Sequence, residues 1–255
     1  MTGVILAPIT LFFAALILSW LGTGGVLVVL RWHGIFDLPN ERSSHAQPTP
    51  RGGGIAVVGT VLMVWTGWAM WTGVQSQTFV LLAAAVLAGV SFVDDVRGLP
   101  PWPRLAAQGA AVAVGLWALP VENLVFQGLL SPMMDRAATG LAWLWFVNLF
   151  NFMDGIDGIT GLETLCVAGG LALVVPTDAM VARCLAMMGA ALGFLRWNWH
   201  PARIFLGDIG SVPLGYLLGW LLIGAATTGH GTAALILPLY YLTDATLTLG
   251  WRLAR

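Results

Sequence analysis

Long apolar segments follow one another along the chain, and short polar breaks separate them. A helix needs roughly 20 mostly apolar residues to cross a bilayer, and about nine segments approach this length. The segments comprise residues 5–30, 54–73, 78–93, 104–120, 137–153, 158–176, 179–196, 210–228 and 232–251. This pattern predicts an all-α fold, a polytopic integral membrane helical bundle in which residues 1–255 form a single transmembrane domain.

The composition supports a membrane protein. Of the 255 residues, 58% are hydrophobic and 9% are charged, whereas a soluble domain carries about 25% charged residues. The basic residues are all arginines, and the formal net charge is −1. A charge so close to zero gives no indication of a nucleic acid partner.

The distribution of arginines predicts the orientation of the bundle. Cytoplasmic loops of membrane proteins carry an excess of basic residues. If alternate loops are assigned to opposite sides, one side holds Arg31, Arg42, Arg51, Arg97, Arg104, Arg196, Arg203, Arg252 and Arg255. Arg136 and Arg183 fall on the other side. We therefore expect the N-terminus outside and the C-terminus in the cytoplasm, unless the fifth segment fails to span, in which case the later segments invert.

The polar breaks on the predicted cytoplasmic side hold most of the candidate chemistry, in residues 31–53, 94–104, 151–158 and 196–210. A charged side chain at the centre of a membrane helix costs roughly 2 to 3 kcal/mol or more, so acids beside such helices are functional candidates. The first break contains P-N-E-R-S-S-H-A-Q-P-T-P-R-G-G-G. Main-chain N–H groups of Gly52, Gly53 and Gly54 could meet an anion there, with His45 and Arg51 adding charge. The alternative is an ordinary Pro/Gly loop.

The second break places two carboxylates, Asp94 and Asp95, at the C-terminal end of a helix. Negative charge at that end of a helix is unfavourable unless a cation or a proton compensates it. A general base or a partner of Mg²⁺ is one interpretation. An ion pair with Arg97 or Arg104 at the helix end is the structural alternative.

The third break shows a spacing of three residues: Asn148, Asn151, Asp154 and Asp157. This spacing keeps the side chains on one face for as long as the helix continues. A polar face within an apolar helix favours a water-filled site. A structural polar seam between helices is the alternative.

The fourth break, N-W-H-P-A-R-I-F-L-G-D-I-G-S, leads into the eighth segment. Asp208 could be an N-cap, or it could belong with Gly207, Gly210 and Ser211 to a phosphate or metal-phosphate cradle at a helix N-terminus. Phe205 could stack on a base or anchor the chain at the membrane interface. His200 fits an interfacial histidine better than a metal ligand, because no paired-histidine spacing accompanies it.

Together these motifs resemble the polyprenyl-phosphate N-acetylhexosamine-1-phosphate transferases. The resemblance is carried by H-A-Q-P-T-P-R-G-G-G, F-V-D-D-V-R, N-L-F-N-F-M-D-G-I-D-G and F-L-G-D-I-G-S, over about residues 31–251. It implies a bacterial plasma-membrane enzyme that transfers a sugar phosphate from a UDP-N-acetylhexosamine to undecaprenyl or another polyprenyl phosphate, with Mg²⁺ or Mn²⁺. The first loop looks more like the branch that starts O-antigen and teichoic acid than the peptidoglycan branch.

The resemblance also implies roles for residues. It makes Asp208 the metal ligand, and Asp94 and Asp95 a catalytic acidic pair that orients or deprotonates the lipid phosphate or, for Asp95, supports the metal. The residues expected to bind substrate are Asn151, Asp154, Asp157, Asn198, Phe205, His45, Arg51 and Arg97. Asn198 and Phe205 would lie beside the ribose and uracil. Small residues in the helices permit close packing within a protomer or in a homodimer.

Three other interpretations compete with this one. A transporter would place its acids near the midplane on broken helices, often in repeated halves. A CDP-alcohol phosphotransferase would need an arginine after the motif that begins at Asp154, and none is there. An inactive or incomplete family member is the third, because the family has a histidine-containing loop and another span after the position of Arg255.

Overall fold

The computed structural model describes residues 2–39, 47–73, 77–120 and 122–254. The helices are α1 Thr2–His33, α2 Gly54–Thr72, α3 Thr78–Arg97, α4 Pro101–Trp117, α5 Pro132–Met153, α6 Ile159–Val174, α7 Asp178–Asn198, α8 Asp208–Ala225, α9 Gly231–Ile236 and α10 Leu239–Leu253. Two short antiparallel strands, β1 Phe36–Asp37 and β2 Thr49–Pro50, pair with each other. The predicted all-α membrane bundle is confirmed.

Every predicted apolar segment coincides with helix. By length and composition, five helical stretches of the described chain are able to cross a membrane. These are Ala7–His33, Gly54–Thr72, Thr78–Arg97, Asp178–Asn198 and Asp208–Ile236. The total of about nine spans and the orientation of the termini stay predictions.

The main departure from the expected helices lies after α8. A π-helical turn, Ala226–His230, joins α8 to α9, and within it Gly229 has a φ of 88°. The predicted ninth segment is then interrupted between α9 and α10 by Leu237 and Pro238. Pro238 has no N–H group to donate to the turn before it, and its φ and ψ of −89° and 15° are not helical, so α9 and α10 are separate helices.

Helix α8 is the centre of the bundle. It packs against α2, α3, α5 and α6, and most of its side chains are buried. Trp143 of α5 stacks on Tyr216 of α8 with ring centroids 4.7 Å apart, and its Nε1 donates to the Tyr216 carbonyl at 3.0 Å. The Tyr216 hydroxyl donates to the carbonyl of Ala111 on α4 at 3.0 Å. These contacts fix the helix that carries Asp208 at its N-terminal end.

Helices α1 and α7 form the closest helix pair at the side of the bundle. A Cβ atom on Gly189 would lie 2.2 Å from the carbonyl oxygen of Phe12. The Ser19 hydroxyl donates to the carbonyl of Ala190 across the same interface at 2.7 Å. Small residues and such hydrogen bonds stabilise helix pairs where lipid removes the hydrophobic driving force.

Candidate functional site

A chain of alternating charges lies where the polar breaks meet at one end of the bundle. It joins Asp94 of α3, Arg104 of α4, Asp208 of α8, Arg51 after β2 and Asp95 of α3. In this order the four contacts are Asp94 Oδ2 to Arg104 Nε at 2.9 Å, Arg104 Nη2 to Asp208 Oδ2 at 3.1 Å, Asp208 Oδ1 to Arg51 Nη2 at 2.7 Å, and Arg51 Nε to Asp95 Oδ1 at 2.9 Å. Three of the four breaks therefore share one site. We call these five residues the charged chain.

The two arginines are the accessible members of the charged chain. The side chains of Arg51 and Arg104 are 35% and 34% exposed, whereas those of Asp94, Asp95 and Asp208 are 8%, 3% and 14% exposed. Burial lowers the pKa of Arg51, but the nearby carboxylates, those of Asp95 and Asp208 first, raise that pKa by more. The two partly exposed guanidinium groups present a cationic surface to an incoming anion.

Asp95 caps helix α8 from another helix. Its Oδ1 accepts from the N–H of Asp208 at 3.0 Å, and its Oδ2 accepts from the N–H of Ile209 at 2.9 Å. The next two N–H groups, of Gly210 and Ser211, donate to the Gly207 carbonyl. A carboxylate at this position complements the helix dipole. The N–H groups at this helix end are therefore already paired within the described structure. A phosphate or metal-phosphate cradle around Asp208 stays a prediction.

The N–H groups of the three glycines of the first break are also paired within the protein. Gly52 and Gly53 donate their N–H groups to the Phe205 carbonyl, and Gly54 donates to the Leu206 carbonyl. A Cβ atom on Gly54 would lie 2.2 Å from the Cα of Gly210. The glycines thus allow this loop to pack directly on the start of α8, and the expected anion contact to their N–H groups is wrong. The packing carries Arg51 to Asp208.

The two acids of α3 have different partners, and those of Asp94 lie in the loop after α3 and on α4. Asp94 accepts from the N–H of Leu99 at 2.6 Å as well as from Arg104, so one of the two predicted ion pairs forms. Arg97 is exposed and makes no ion pair with the described residues. Its predicted role in substrate binding stays a prediction.

The asparagines at the end of α5 join neighbouring helices. Asn148 donates to Oε1 of Gln108 on α4, and Asn151 donates to the hydroxyl of Ser211 on α8, each at 2.8 Å. Helix α5 ends at Met153, so the expected polar face does not continue to Asp157. The polar seam accounts for the two asparagines, and Ser211, the partner of Asn151, lies about one turn along α8 from Asp208.

Asp154 lies at the C-cap of α5 and faces the charged chain. Burial is the main cause that raises its pKa to about 7, and the carboxylates of Asp208 and Asp95 add to this. A hydrogen bond with Thr160 and the charge of Arg51 act in the opposite direction. A carboxyl group of this kind is a candidate for function, because buried acids with several charged neighbours cluster at functional sites.

A cavity of about 610 Å³ opens beside the charged chain. Asp157, Phe205, His200, Arg203, Arg31 and residues of the β2 loop line it. Oδ2 of Asp157 accepts from Nδ1 of His200 at 2.8 Å and from the N–H of Ala202 at 3.0 Å. Two of the predicted substrate-binding residues, Asp157 and Phe205, therefore share one cavity.

Asn198 connects two of the segments that line this cavity. Its Oδ1 accepts from the N–H of Gly158 at 2.9 Å, and its Nδ2 donates to the Ile204 carbonyl at 3.0 Å. The side chain is buried and joins the third break to the fourth. Contact between Asn198 and a ligand stays a prediction. His45 lies outside the described residues, so its predicted role also stays a prediction.

The carboxylates of Asp208 and Asp95 are the type of donor that Mg²⁺ prefers. Magnesium in phosphate-transferring sites is usually held by one or two carboxylates, with water and substrate phosphates as the remaining ligands. The described residues contain no cluster of three or more acidic, histidine or cysteine side chains arranged for a metal. The donors thus fit an ion that is completed by a phosphorylated ligand, and Asp208 is the more accessible of the two.

Arg104 is the member of the site that the sequence indicated least directly. We expected it only as a partner at the helix end, yet it reaches Asp208 as well as Asp94. One signal was available, since Arg104 lies in the first turn of α4. A cation is unfavourable at a helix N-terminus unless acids surround it. Arg31 and Arg203 were noted only for topology, and both line the cavity.

Comparison with known proteins agrees with this geometry. Residues 77–226 match the profile of the family described as glycosyl transferase family 4. Curated relatives include the decaprenyl-phosphate N-acetylglucosaminephosphotransferases of three mycobacteria. The protein of Mycobacterium tuberculosis (strain H37Rv) is 34% identical over 248 residues, covering 85% of this chain and 59% of the relative. The protein of Mycolicibacterium smegmatis is 33% identical with the same coverage. That of Mycobacterium leprae is 32% identical, covering 85% of this chain and 60% of the relative. The chain spans about three fifths of the length of these relatives.

Proposed function

Since the chain belongs to glycosyl transferase family 4, we propose that it transfers N-acetylhexosamine-1-phosphate from a UDP-sugar to a polyprenyl phosphate. An oxygen of the lipid phosphate attacks the β-phosphorus of the UDP-sugar, and the bond from that phosphorus to the bridging oxygen breaks. The products are UMP and a lipid-diphosphate-sugar. The observation that carries this proposal is the charged chain, with two accessible arginines around Asp208, directly beside a cavity large enough for a nucleotide.

The charged chain suits the electrostatics of this reaction. Phosphoryl transfer depends mainly on positioning the reactants and neutralising charge on the phosphoryl oxygens. Arg51 and Arg104 approach Asp208 through different oxygens, so an anion that meets Asp208 also meets both guanidinium groups. The diphosphate of the donor and the phosphate of the lipid acceptor are anions of this kind.

We propose that Asp208 holds Mg²⁺ or Mn²⁺, with Asp95 behind it as the supporting carboxylate. A bound metal would add positive charge for the diphosphate and the leaving UMP. For the acidic pair we propose a positioning role within the protein, which Asp95 combines with its support of the metal. Asp95 holds Arg51 and the first turn of α8, and Asp94 holds Arg104 and the N–H of Leu99.

We assign the uridine part of the donor to the cavity of about 610 Å³. Phe205 offers a ring for the base, Asp157 offers a carboxylate, and Arg203 offers a positive charge for a phosphate. The backbone of Phe205 forms hydrogen bonds with Pro50, Gly52 and Gly53. These residues flank Arg51, so Arg51 lies close to the Phe205 side of the cavity. A nucleotide in the cavity would therefore direct its phosphates toward the charged chain. We assign Asn151 and Asp154 to the sugar part of the donor.

The acceptor site is proposed along α5 and α8. An apolar cavity of about 250 Å³ lies between these helices and α9–α10, and it is lined among others by Trp143, Phe146 and Leu222. The same two helices carry Asn151 and Asp208 at their inner ends. An isoprenoid chain that follows them would bring its phosphate to the site. We place this site on the cytoplasmic side of a bacterial plasma membrane, at the start of a cell-envelope polysaccharide.

The test is release of UMP by the purified protein in lipid nanodiscs. UDP-N-acetylglucosamine and UDP-N-acetylgalactosamine are compared as donors, with UDP-glucose as the control that lacks the acetamido group. Undecaprenyl and decaprenyl phosphate are compared as acceptors, with Mg²⁺, with Mn²⁺ and with a chelator. We expect UMP only when lipid phosphate, an N-acetylhexosamine donor and metal are all present. Release without lipid, or no release by folded protein that binds the donor, would contradict the proposed transfer. The donor panel identifies the sugar, and the acceptor panel identifies the lipid.

A further inference from the structure

The end of the bundle opposite the charged chain holds an arginine without an acidic partner. Arg183 lies in the second turn of α7, and none of the ion pairs among the described residues includes it. Its guanidinium carbon lies 4.9 Å from the centre of the Trp220 ring on α8. A charged side chain in a membrane helix is costly and normally has a partner, so Arg183 is a candidate for binding a ligand.

Two N–H groups in this cluster have no acceptor. Nε of Arg183 and Nε1 of Trp220 are buried and lack a hydrogen-bond partner within the part of the chain that the structure describes. Buried polar groups are nearly always paired, and an exception calls for a water, an ion or a ligand. Guanidinium and indole groups can only donate. The missing group is therefore an acceptor, and the unbalanced charge of Arg183 favours an anion.

Packing behind the arginine holds its backbone in place. Nε1 of Trp65 on α2 donates to the Arg183 carbonyl at 3.1 Å, and the ring centroids of Trp65 and Trp220 are 6.2 Å apart. Nε2 of the buried Gln77, just before α3, donates to the Trp65 carbonyl at 3.3 Å. Neither hydrogen bond uses the Arg183 side chain. Arg183 and Trp220 are both half-buried, so the guanidinium group stays open to a ligand.

The position along the helices indicates which anion is present there. At a rise of about 1.5 Å per residue, Trp220 lies about 18 Å along α8 from Asp208, and Arg183 lies about 8 Å from the start of α7. Tryptophan and arginine near the end of a membrane helix typically reach the level of the lipid headgroups. The phosphate of a phospholipid is the anion at that level, and a guanidinium group matches phosphate oxygens in geometry.

We propose that Arg183 and Trp220 form a phosphate-binding site at the end of the bundle opposite the charged chain. The guanidinium group and the indole N–H donate to the phosphate oxygens, while Trp65 and Gln77 position Arg183. The headgroup of an anionic phospholipid supplies such a phosphate, and free phosphate is the other source. This inference is independent of the proposed function, because the site lies apart from the charged chain and from the cavity beside it.

The experiment measures binding of defined ligands to the purified protein in detergent, after bound lipid has been removed. Phosphatidylglycerol is titrated by native mass spectrometry, and diacylglycerol, which has the same acyl chains and no phosphate, is its control. Inorganic phosphate is titrated separately by its effect on the thermal unfolding midpoint. The variants are Arg183→Gln and Trp220→Phe. Arg196→Gln is the matched control, because it removes an exposed arginine at the other end of α7.

We expect Arg183→Gln to raise the Kd for phosphatidylglycerol roughly 10- to 100-fold, the range that corresponds to one lost hydrogen bond to a charged group. Trp220→Phe keeps the ring but removes the N–H group, so its Kd should rise roughly 2- to 10-fold. Arg196→Gln should bind like the unmodified protein, and diacylglycerol should not compete.

The two sources of phosphate give different results. An effect of inorganic phosphate that is lost in Arg183→Gln, without selective binding of phosphatidylglycerol, would support the site and identify a soluble ligand. Equal binding of phosphatidylglycerol by Arg183→Gln and the unmodified protein, with no effect of inorganic phosphate, would overturn the inference. Equal losses in Arg183→Gln and Arg196→Gln would also overturn it, because they would reflect general attraction of anionic lipid to arginine.

Discussion

The two ends of the bundle both contain adjacent charged residues, but they use them differently. At one end, Asp94 and Asp95 pair with arginines from other segments, and the arginines remain partly exposed. At the other end, the buried Asp135 accepts from the N–H groups of Val125 and Phe126 at 3.1 and 2.8 Å. Beside it, Arg136 donates to the carbonyls of Leu116, Leu119 and Pro120 at 2.8 to 3.0 Å. Charges at this second end bind backbone groups of the last turn of α4 and of the loop between α4 and α5.

The difference separates a structural pair from the pair that we propose to serve a ligand site. Backbone groups cannot be exchanged for a ligand without unfolding the loop that carries them, so Asp135 and Arg136 are fixed in their role. Side-chain ion pairs that are partly exposed contribute little to stability and can exchange partners. We therefore expect Arg51 and Arg104 to turn toward a bound anion while the helices stay in place. In this protein, the adjacent charges of the proposed ligand site are the ones whose partners are accessible side chains.

The largest expected effect separates the two ends by activity. Asp208→Asn keeps the shape of the side chain but removes the charge that both arginines share, and it weakens the proposed metal site. We expect the rate of UMP release to fall roughly 100-fold or more, as for the loss of a preorganised charged group in other sites. The thermal unfolding midpoint should change little. Asp178→Asn is the control, because Asp178 is exposed in the first turn of α7. Normal activity of Asp208→Asn at low Mg²⁺ would remove Asp208 from the site.

The contrast between Asp95 and Asp208 also shows what the sequence could predict. Composition, apolar segments and arginine bias were sufficient for a membrane bundle with its motifs at one end. They could not indicate that Asp95 caps a helix whose first residue lies 113 positions away. A cap within a helix has a local signature, whereas a cap from another helix has none. For the same reason, the glycines at residues 52–54 suggested an anion site, although their partner is the backbone of residues 205 and 206.

An intermediate effect concerns stability at the opposite end. Asp135→Asn leaves one oxygen to serve the two N–H groups of Val125 and Phe126. An unsatisfied buried polar group costs roughly 1 to 3 kcal/mol. We therefore expect a lower thermal unfolding midpoint and no change in kcat of the folded protein. Glu122→Gln is the matched control, since Glu122 is an exposed acid of the same loop. A loss of kcat without loss of stability would mean that the two ends do not differ as described.

The breaks in regular helix were predictable to different degrees. Pro238 stands in the sequence as a helix breaker, yet the ninth segment was expected to be continuous because its apolar character does not change there. The π-helical turn at Ala226–His230 has a weaker signal, namely Gly229, whose positive φ suits glycine. Apolar pattern indicates which residues meet lipid or core, but it does not report the backbone conformation within a long apolar stretch. Tertiary packing decides that conformation.

The smallest expected effect is a dependence of stability on pH. The pKa of Asp154 is raised from 3.8 to about 7 in the folded protein, chiefly by burial. Between these values the folded state binds a proton that the unfolded state lacks, so this group stabilises the fold at low pH and its contribution is lost as pH rises toward 7. Asp154→Asn lacks the titration. The unfolding midpoint of the unmodified protein should therefore fall from pH 5 to pH 7 relative to that of the variant, and then run parallel to it above pH 8. Parallel curves over the whole range would mean that Asp154 is ionised throughout, as an exposed acid such as Asp178 would be. That result would contradict the raised pKa and remove the main reason for including Asp154 in the site.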